Sequence, residues 1–283
     1  MHASQLRRSE SSLQGSGGLC LFRRAWLPPE PQRAMLIIHG FAEHSGRYEA
    51  PGAWFAARGC AVHAYDQRGH GRSDGTRGHV ERFDEFLDDA AILLDTVKSE
   101  HPGLPVVLVG HSMGGLILAS FLRERRPAVA AAVSSCAAFK LDEALPAWRL
   151  RVARLARRVT PRASIAANLP LAGLSKDPEV IRQYEEDPLV FHKLTLSLAV
   201  EMFDAAHRLH GGAGDVEVPL LVLHGEDDSI APPEGSQTFA AGLTSTGSEL
   251  RTYPGLRHEI FNEPEAETVY ADVLAWLDKL GTP

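Results

Sequence analysis

Long apolar runs are missing from this chain of 283 residues, and none approaches the ~18 that a membrane-spanning helix needs. Cysteine is scarce: Cys20, Cys60 and Cys136 are scattered, odd in number and without metal-ligand spacing. That pattern excludes a disulfide framework and fits a reducing compartment. No apolar core segment follows Arg7 and Arg8, so no secretory signal is read at the N-terminus. Positive charge is in deficit, 29 Lys and Arg against 36 Asp and Glu, for a formal net charge of −7. Nucleic acid is therefore not expected as a partner. No internal repeat is visible, and the expectation is a soluble, cytoplasmic protein. What the chain does hold is core-forming residues, 44% hydrophobic, ample for one large α/β domain.

Residues 1 to about 16 are polar, rich in Ser and Gly, and read as frayed. Beyond them, strands are expected at 19–26, 34–39, 60–65, 104–109, 129–134, 220–224 and 249–253. Helices are expected at 48–58, 83–100, 116–125, 234–243 and 266–280, the second spaced by Phe86, Ala90, Leu93, Leu94 and Val97. Near-continuous apolar strands alternating with helices predict a mostly parallel central sheet with helices on both faces.

Residues 140–212 break the alternation, with helical patterns and no convincing strand. They predict a helical cap inserted between two late strands at the carboxyl edge of the sheet, dividing the core into residues 1–139 and 213–283. Within it, 148–159 places Trp148, Val152, Leu155 and Val159 on one helical face. Arg149, Arg151, Arg154, Arg157 and Arg158 fall around the rest. Two readings stay open: a stripe packed on the domain, or a lid whose apolar side meets lipid while its arginines meet anionic headgroups.

Gly110-His111-Ser112-Met113-Gly114 reads G-x-S-x-G between an expected strand and an expected helix, the arrangement of a nucleophile elbow. Such a turn strains the serine backbone and demands small neighbours, which Gly110 and Gly114 supply. Alone, the pattern arises by chance in roughly one chain in ten of this length. A serine hydroxyl needs a base, and the base an orienting carboxylate. On α/β-hydrolase sheets the acid and then the histidine follow the serine. The loop after the strand ending at His224 offers Asp227 and Asp228, and the loop after the strand ending at Tyr253 offers His258. His258-Glu259-Ile260-Phe261-Asn262 lacks the second histidine of H-E-x-x-H, so it is not a zinc motif. Oxyanion donors are expected from the backbone N–H of Met113, after the nucleophile, and of Phe41, in the loop after His39.

His39-Gly40-Phe41-Ala42-Glu43-His44-Ser45-Gly46-Arg47-Tyr48 closely resembles the oxyanion-loop signature of monoacylglycerol lipases. Asp66-Gln67-Arg68-Gly69-His70-Gly71-Arg72-Ser73-Asp74-Gly75, the elbow with Gly115, Asp187-Pro188-Leu189 and Tyr253-Pro254-Gly255 are similar to that family's motifs, in unbroken order over about residues 15 to 280. The resemblance implies an α/β-hydrolase fold with a helical cap, acting without a cofactor or metal on monoacylglycerols or related lysolipid esters. It also implies that the acid is Asp228 rather than Asp227. None of the family's glycerol-contacting cap residues is carried over.

Ser112 is thus expected to attack the acyl carbon, with His258 as base and then acid and Asp228 holding the imidazole. The partners expected are a small-molecule lipid ester and, through the cap, a transient membrane surface. Glu43 and Arg47 read as an ion pair bracing the oxyanion loop, His111 as packing beneath it, and Asp66, Arg68 and Ser73 as fixing a loop by local hydrogen bonds. Lysophospholipase or short-chain carboxylesterase activity is the alternative, and cap arginines would favour a phosphate headgroup. An aminopeptidase would want an acidic group for a free amine, which the sequence does not place. Ser112 excludes the elbow carboxylate of dehalogenases and epoxide hydrolases. A non-catalytic scaffold is disfavoured by the retained triad.

Overall fold

Five strands have no solvent face: β3 (Arg33–Ile38), β4 (Cys60–Tyr65), β5 (Val106–His111), β6 (Ala131–Ser135) and β9 (Leu220–Gly225) are buried at every residue. Runs apolar on both faces fit a parallel sheet covered on both sides. The structure, a computed structural model, describes residues 6–141, 147–167 and 169–281. Among these, β1 (Arg7–Gln14), β2 (Cys20–Leu27) and β10 (Glu249–Tyr253) complete an eight-stranded sheet in the order β1-β2-β4-β3-β5-β6-β9-β10. β2 pairs antiparallel with both its neighbours, β1 and β4, and the other pairs in the sheet are parallel.

Helices α1 (Glu49–Ala56) and α8 (Ala266–Lys279) cover one face, and α2 (Asp84–Glu100) and α3 (Met113–Arg125) the other. Alternate strand residues serve opposite layers: Leu36, Ile38 and Leu108 join Phe86 and Leu118, while Met35, Ile37 and Val107 join Phe55 and Trp276. Each large apolar side chain so buried contributes about 1.5–3 kcal/mol relative to exposure. α7 (Pro233–Ala241) follows β9.

Between β6 and β9 the chain forms α4 (Ala147–Arg157), β7 (Ser164–Ala166), α5 (Pro178–Glu186), β8 (Lys193–Thr195) and α6 (Leu196–Leu209). β7 and β8 pair antiparallel over three residues each, a small sheet the sequence did not announce. The expected frayed N-terminus is corrected as well. Residues 1–5 lie outside the described residues, but Arg7–Gln14 pairs along its whole length with Cys20–Leu27. Its polar RRSESSLQ sequence buries little, so the ladder to β2 and not an apolar face defines the strand.

The stripe on α4 is not packed. Trp148, Val152, Leu155 and Val159 are 62%, 55%, 62% and 83% exposed. The small Ala153 and Ala156 sit on the less exposed side with Leu150. Arg154 pairs with Asp204 and Arg157 with Glu201, both acids on α6, so these two arginines bind the helix to the domain. No helix among the described residues is long and apolar enough to cross a membrane.

Candidate active site

The sheet's chain path turns at the crevice between β3 and β5, and loops leaving these two strands meet there. Ser112 follows β5 with φ +53° and ψ −118°, a strained conformation at the head of α3. The glycines around it have steric reasons. A Cβ on Gly114 would lie 2.0 Å from the Ile38 carbonyl oxygen, and one on Gly110 2.4 Å from the Gly114 oxygen. Backbone oxygens cannot rotate aside. Gly114→Ala is therefore expected to cost more than the about 1–3 kcal/mol of ordinary overpacking and to lower Tm by at least about 5 °C. A wild-type melting curve for that variant would contradict the close approach.

His258 lies after β10 and Asp228 after β9. The His258 Nδ1–H donates to Asp228 Oδ2 at 2.7 Å, both groups buried. Burial alone would lower the His258 pKa; the Asp228 carboxylate outweighs it by charge and hydrogen bond, and the net shift is upward. Burial likewise pushes Asp228 up, but His258, His224 and the Ala231 N–H favour its charged form, and its pKa ends below the ordinary carboxylate value. Ser112 and His258 line one cavity of about 260 Å³. No hydrogen bond joins these two side chains among the described residues.

Phe41 lines the same cavity, and Met113 directly follows Ser112 in the chain. Met113 opens α3, where helix N–H groups lack an intrahelical partner. Phe41 follows Gly40, whose Cβ position lies 3.1 Å from Ser112 Cβ. Among the described residues neither backbone N–H is taken by a hydrogen bond. Behind them, burial holds His39 neutral, its pKa near 3. Its Nδ1–H donates to the Gly40 carbonyl at 2.7 Å and its Nε2 accepts from Gln67 N–H at 2.9 Å. The strand-end histidine thus tethers the turn to the next loop.

Asp66 extends the bracing, accepting from Ser45 N–H at 2.8 Å and Arg72 N–H at 2.7 Å, while Ser73 donates to its carbonyl. Arg68 departs from the expected local role. It pairs with Asp89, on α2, at 2.6 Å. Asp187 of the Asp-Pro-Leu motif meets His44 at 2.8 Å, joining the excursion between β6 and β9 to the loop after β3.

Four features escaped the sequence. His224, at the end of β9, donates from Nε2 to Asp228 Oδ2 at 3.0 Å and to the Ala231 carbonyl at 2.9 Å, and its Nδ1 accepts from Ser236. Asp228 therefore receives two imidazole N–H groups on one oxygen and the Ile230 and Ala231 N–H groups on the other. Secondly, Arg47 reaches Glu259 beside His258 as well as Glu43, so the expected bracing pair is one side of a buried triad. Burial raises Glu43 to about 7 against the pull of Arg47. Its Oε1 accepts from Gly40 N–H and, at 2.8 Å, from the Tyr48 hydroxyl. Thirdly, Tyr184, from α5, lies under the Arg47 guanidinium at 4.7 Å, and its buried hydroxyl has no partner among the described residues. Lastly, the His111 ring packs against His258 with centroids 4.8 Å apart, and it lines the cavity rather than merely underpinning it. A histidine in a G-H-S-x-G elbow was the one available signal for the last.

The cavity lining divides by chemistry. Glu43, Tyr184 and Glu259 form the cluster linked through Arg47, whereas Leu141, Leu169, Leu194, Ala199, Met202 and Phe203 are hydrocarbon. Residues 29–265 match the family described as Serine aminopeptidase, S33 (Hydrolase_4). The monoacylglycerol lipase of Mycolicibacterium smegmatis is 36% identical over 272 residues, 95% of this chain and 97% of that protein. A crystal structure of Paleococcus ferrophilus monoacylglycerol lipase is similar with a TM-score of 0.82 at 31% identity, covering 92% of this chain and 99% of that one. A soluble variant of monoglyceride lipase from Saccharomyces cerevisiae, in complex with a substrate analog, has a TM-score of 0.88 at 23% identity over 98% and 97% of the two chains, a likeness of fold. An eight-stranded hydrolase sheet, a strained serine elbow and a family match across most of its length lead to one assignment: the chain belongs to the serine aminopeptidase, S33, family of α/β-hydrolases.

Proposed function

We propose that this enzyme is a carboxylic ester hydrolase that cleaves monoacylglycerols to fatty acid and glycerol through an acyl-enzyme on Ser112. One observation carries the reading: a single cavity joins the elbow serine and a buried polar cluster to a hydrocarbon lining. A monoacylglycerol has that division, an acyl chain on one side of the ester and a head with two free hydroxyls on the other. Ser112 Oγ attacks the ester carbon as His258 Nε2 takes its proton. Asp228 fixes the Nδ1–H tautomer and stabilises the imidazolium. The Phe41 and Met113 N–H groups receive the oxyanion, and His258 then protonates the leaving glycerol. Water deacylates the enzyme with the roles reversed.

Charge separates the alternatives. Glu43, raised to about 7, and Glu259 enclose the one arginine of the cluster, so no net positive charge is left to hold a phosphate headgroup, against a lysophospholipase. Arg47 already sits between them, which leaves little attraction for a free amine, against an aminopeptidase. Hydroxyls suit the cluster, with carboxylate acceptors and the unpartnered Tyr184 hydroxyl available. A panel of a monoacylglycerol, a lysophospholipid, a p-nitrophenyl butyrate and an aminoacyl anilide is expected to rank the monoacylglycerol first in kcat/KM, by at least about tenfold. Tyr184→Phe should raise KM for the monoacylglycerol and leave that for the p-nitrophenyl ester in place. A lysophospholipid or anilide at the head of the ranking would overturn the assignment.

In this reading residues 140–212 are the cap, and the exposed apolar stripe of α4 is its contact with the lipid surface that holds the substrate. Arg149, Arg151 and Arg158 flank the stripe without ion-pair partners among the described residues, whereas Arg154 and Arg157 are engaged. Replacing Trp148 and Leu155 together by serine should weaken binding to anionic vesicles by at least about tenfold, given ~1.5–3 kcal/mol per apolar side chain buried. Unchanged sedimentation with vesicles would remove the lid contact.

A further inference from the structure

We infer that the cavity behind Phe139 is a second acyl subsite, receiving the far end of a long hydrocarbon chain whose ester lies at Ser112, with Phe139 as the partition between the two. The inference rests on the ester-hydrolase reading and concerns chain length, which that reading leaves open. The catalytic cavity, at about 260 Å³, is small beside the ~300–1,000 Å³ of ordinary ligand pockets, and the glycerol head takes part of it. A second cavity of about 420 Å³ lies next to it.

Three chain segments wall both. From the segment after β6, Ala138 and Leu141 line the catalytic cavity while Phe139 and Lys140 line the second. Along α6, Met202 and Phe203 line the first and Leu209 the second, with His210 just past the helix end. From the region of α7, Ile230 and Ala231 line the first. Gly235, Thr238, Phe239 and Gly242 line the second at a spacing of i, i+3, i+4 and i+7, one face of α7 continued past its end. Gly235 lets α7 close directly on the segment after β6: a Cβ there would lie 2.8 Å from Lys140 Cβ, so the two walls meet tightly at this edge of the cavity.

The partition is an aromatic contact. Phe139 stacks on Phe239 with centroids 4.2 Å apart at 22°, and no hydrogen bond pins either ring. Burying roughly two or three further methylenes offsets the loss of such a contact, so a long chain can displace Phe139 whereas a short one does not reach it.

The experiment is kcat/KM for monoacylglycerols of six, ten and sixteen carbons, on folded enzyme. Thr238→Trp, at an exposed rim position, fills the second cavity and should lower the ratio of the sixteen- to the six-carbon substrate at least fivefold. Phe139→Ala removes the partition and should raise the same ratio at least threefold. Wild-type ratios in Thr238→Trp, or equal loss on both chain lengths, overturn the subsite even if Phe139→Ala fails to fold. A wild-type enzyme inactive on every ester would overturn the hydrolase reading beneath it, a result distinct from an unchanged ratio.

Discussion

Ser112→Ala is expected to lower kcat for a monoacylglycerol by about 10⁶, the scale on which serine hydrolases lose turnover with their nucleophile. The hydroxyl makes no hydrogen bond among the described residues, and the left-handed φ of +53° strains alanine as it strains serine. Stability should therefore stay near wild type, with Tm within about 2 °C. The pairing of lost turnover with an intact melt separates a missing nucleophile from a damaged turn, which Gly114→Ala would produce instead. Wild-type-like turnover in Ser112→Ala would remove the serine from the mechanism.

Asp228→Asn should lower kcat by about 10⁴ without disrupting the fold. Four N–H groups converge on the carboxylate: two imidazoles on Oδ2 and two backbone amides on Oδ1. An asparagine must turn its NH₂ toward one pair or the other, and where it faces the imidazoles it favours the wrong His258 tautomer. The pH profile carries the same argument. In the proposed mechanism His258 must be neutral to act as base, and its pKa is raised above the ordinary 6.5 because Asp228 favours the charged imidazolium. Wild-type kcat/KM is thus present at alkaline pH and lost as pH falls through a midpoint above 6.5. Without the carboxylate that midpoint should move down. Glu43, near 7, titrates in the same range, so the displacement in Asp228→Asn, more than the midpoint itself, identifies His258. An acid limb unmoved by the substitution would assign it to another group.

Local patterns made the sheet legible. β4 and β10 fall where short strand-like runs and turn residues put them, Cys60–Tyr65 and Glu249–Tyr253, because each is bounded by Gly or Pro within a few residues. Chain order placed Ser112, Asp228 and His258 on loops that the parallel sheet brings to one edge, so their proximity follows from topology alone. β1 was hidden because an edge strand paired on one side needs no apolar face. The cluster around Arg47 was hidden for another reason. Arg47 and Glu259 stand 212 positions apart, and no local periodicity records a pairing made by folding. Tyr184 lies on a short helix whose other residues are mostly exposed, so its burial depends on where the excursion docks. His224 looked like the last residue of a strand, and β9 carries on by one residue, to Gly225; its second role comes from the Asp228 loop curling back over it.

Covalent labelling is the most direct test of Ser112 as an activated nucleophile. The folded protein is treated with a fluorophosphonate and its intact mass and peptides are recorded. The expected result is one adduct, on Ser112, slowed in Asp228→Asn and absent from Ser112→Ala. A folded wild-type protein that takes no label, or takes it on another residue, would contradict the mechanism at its centre.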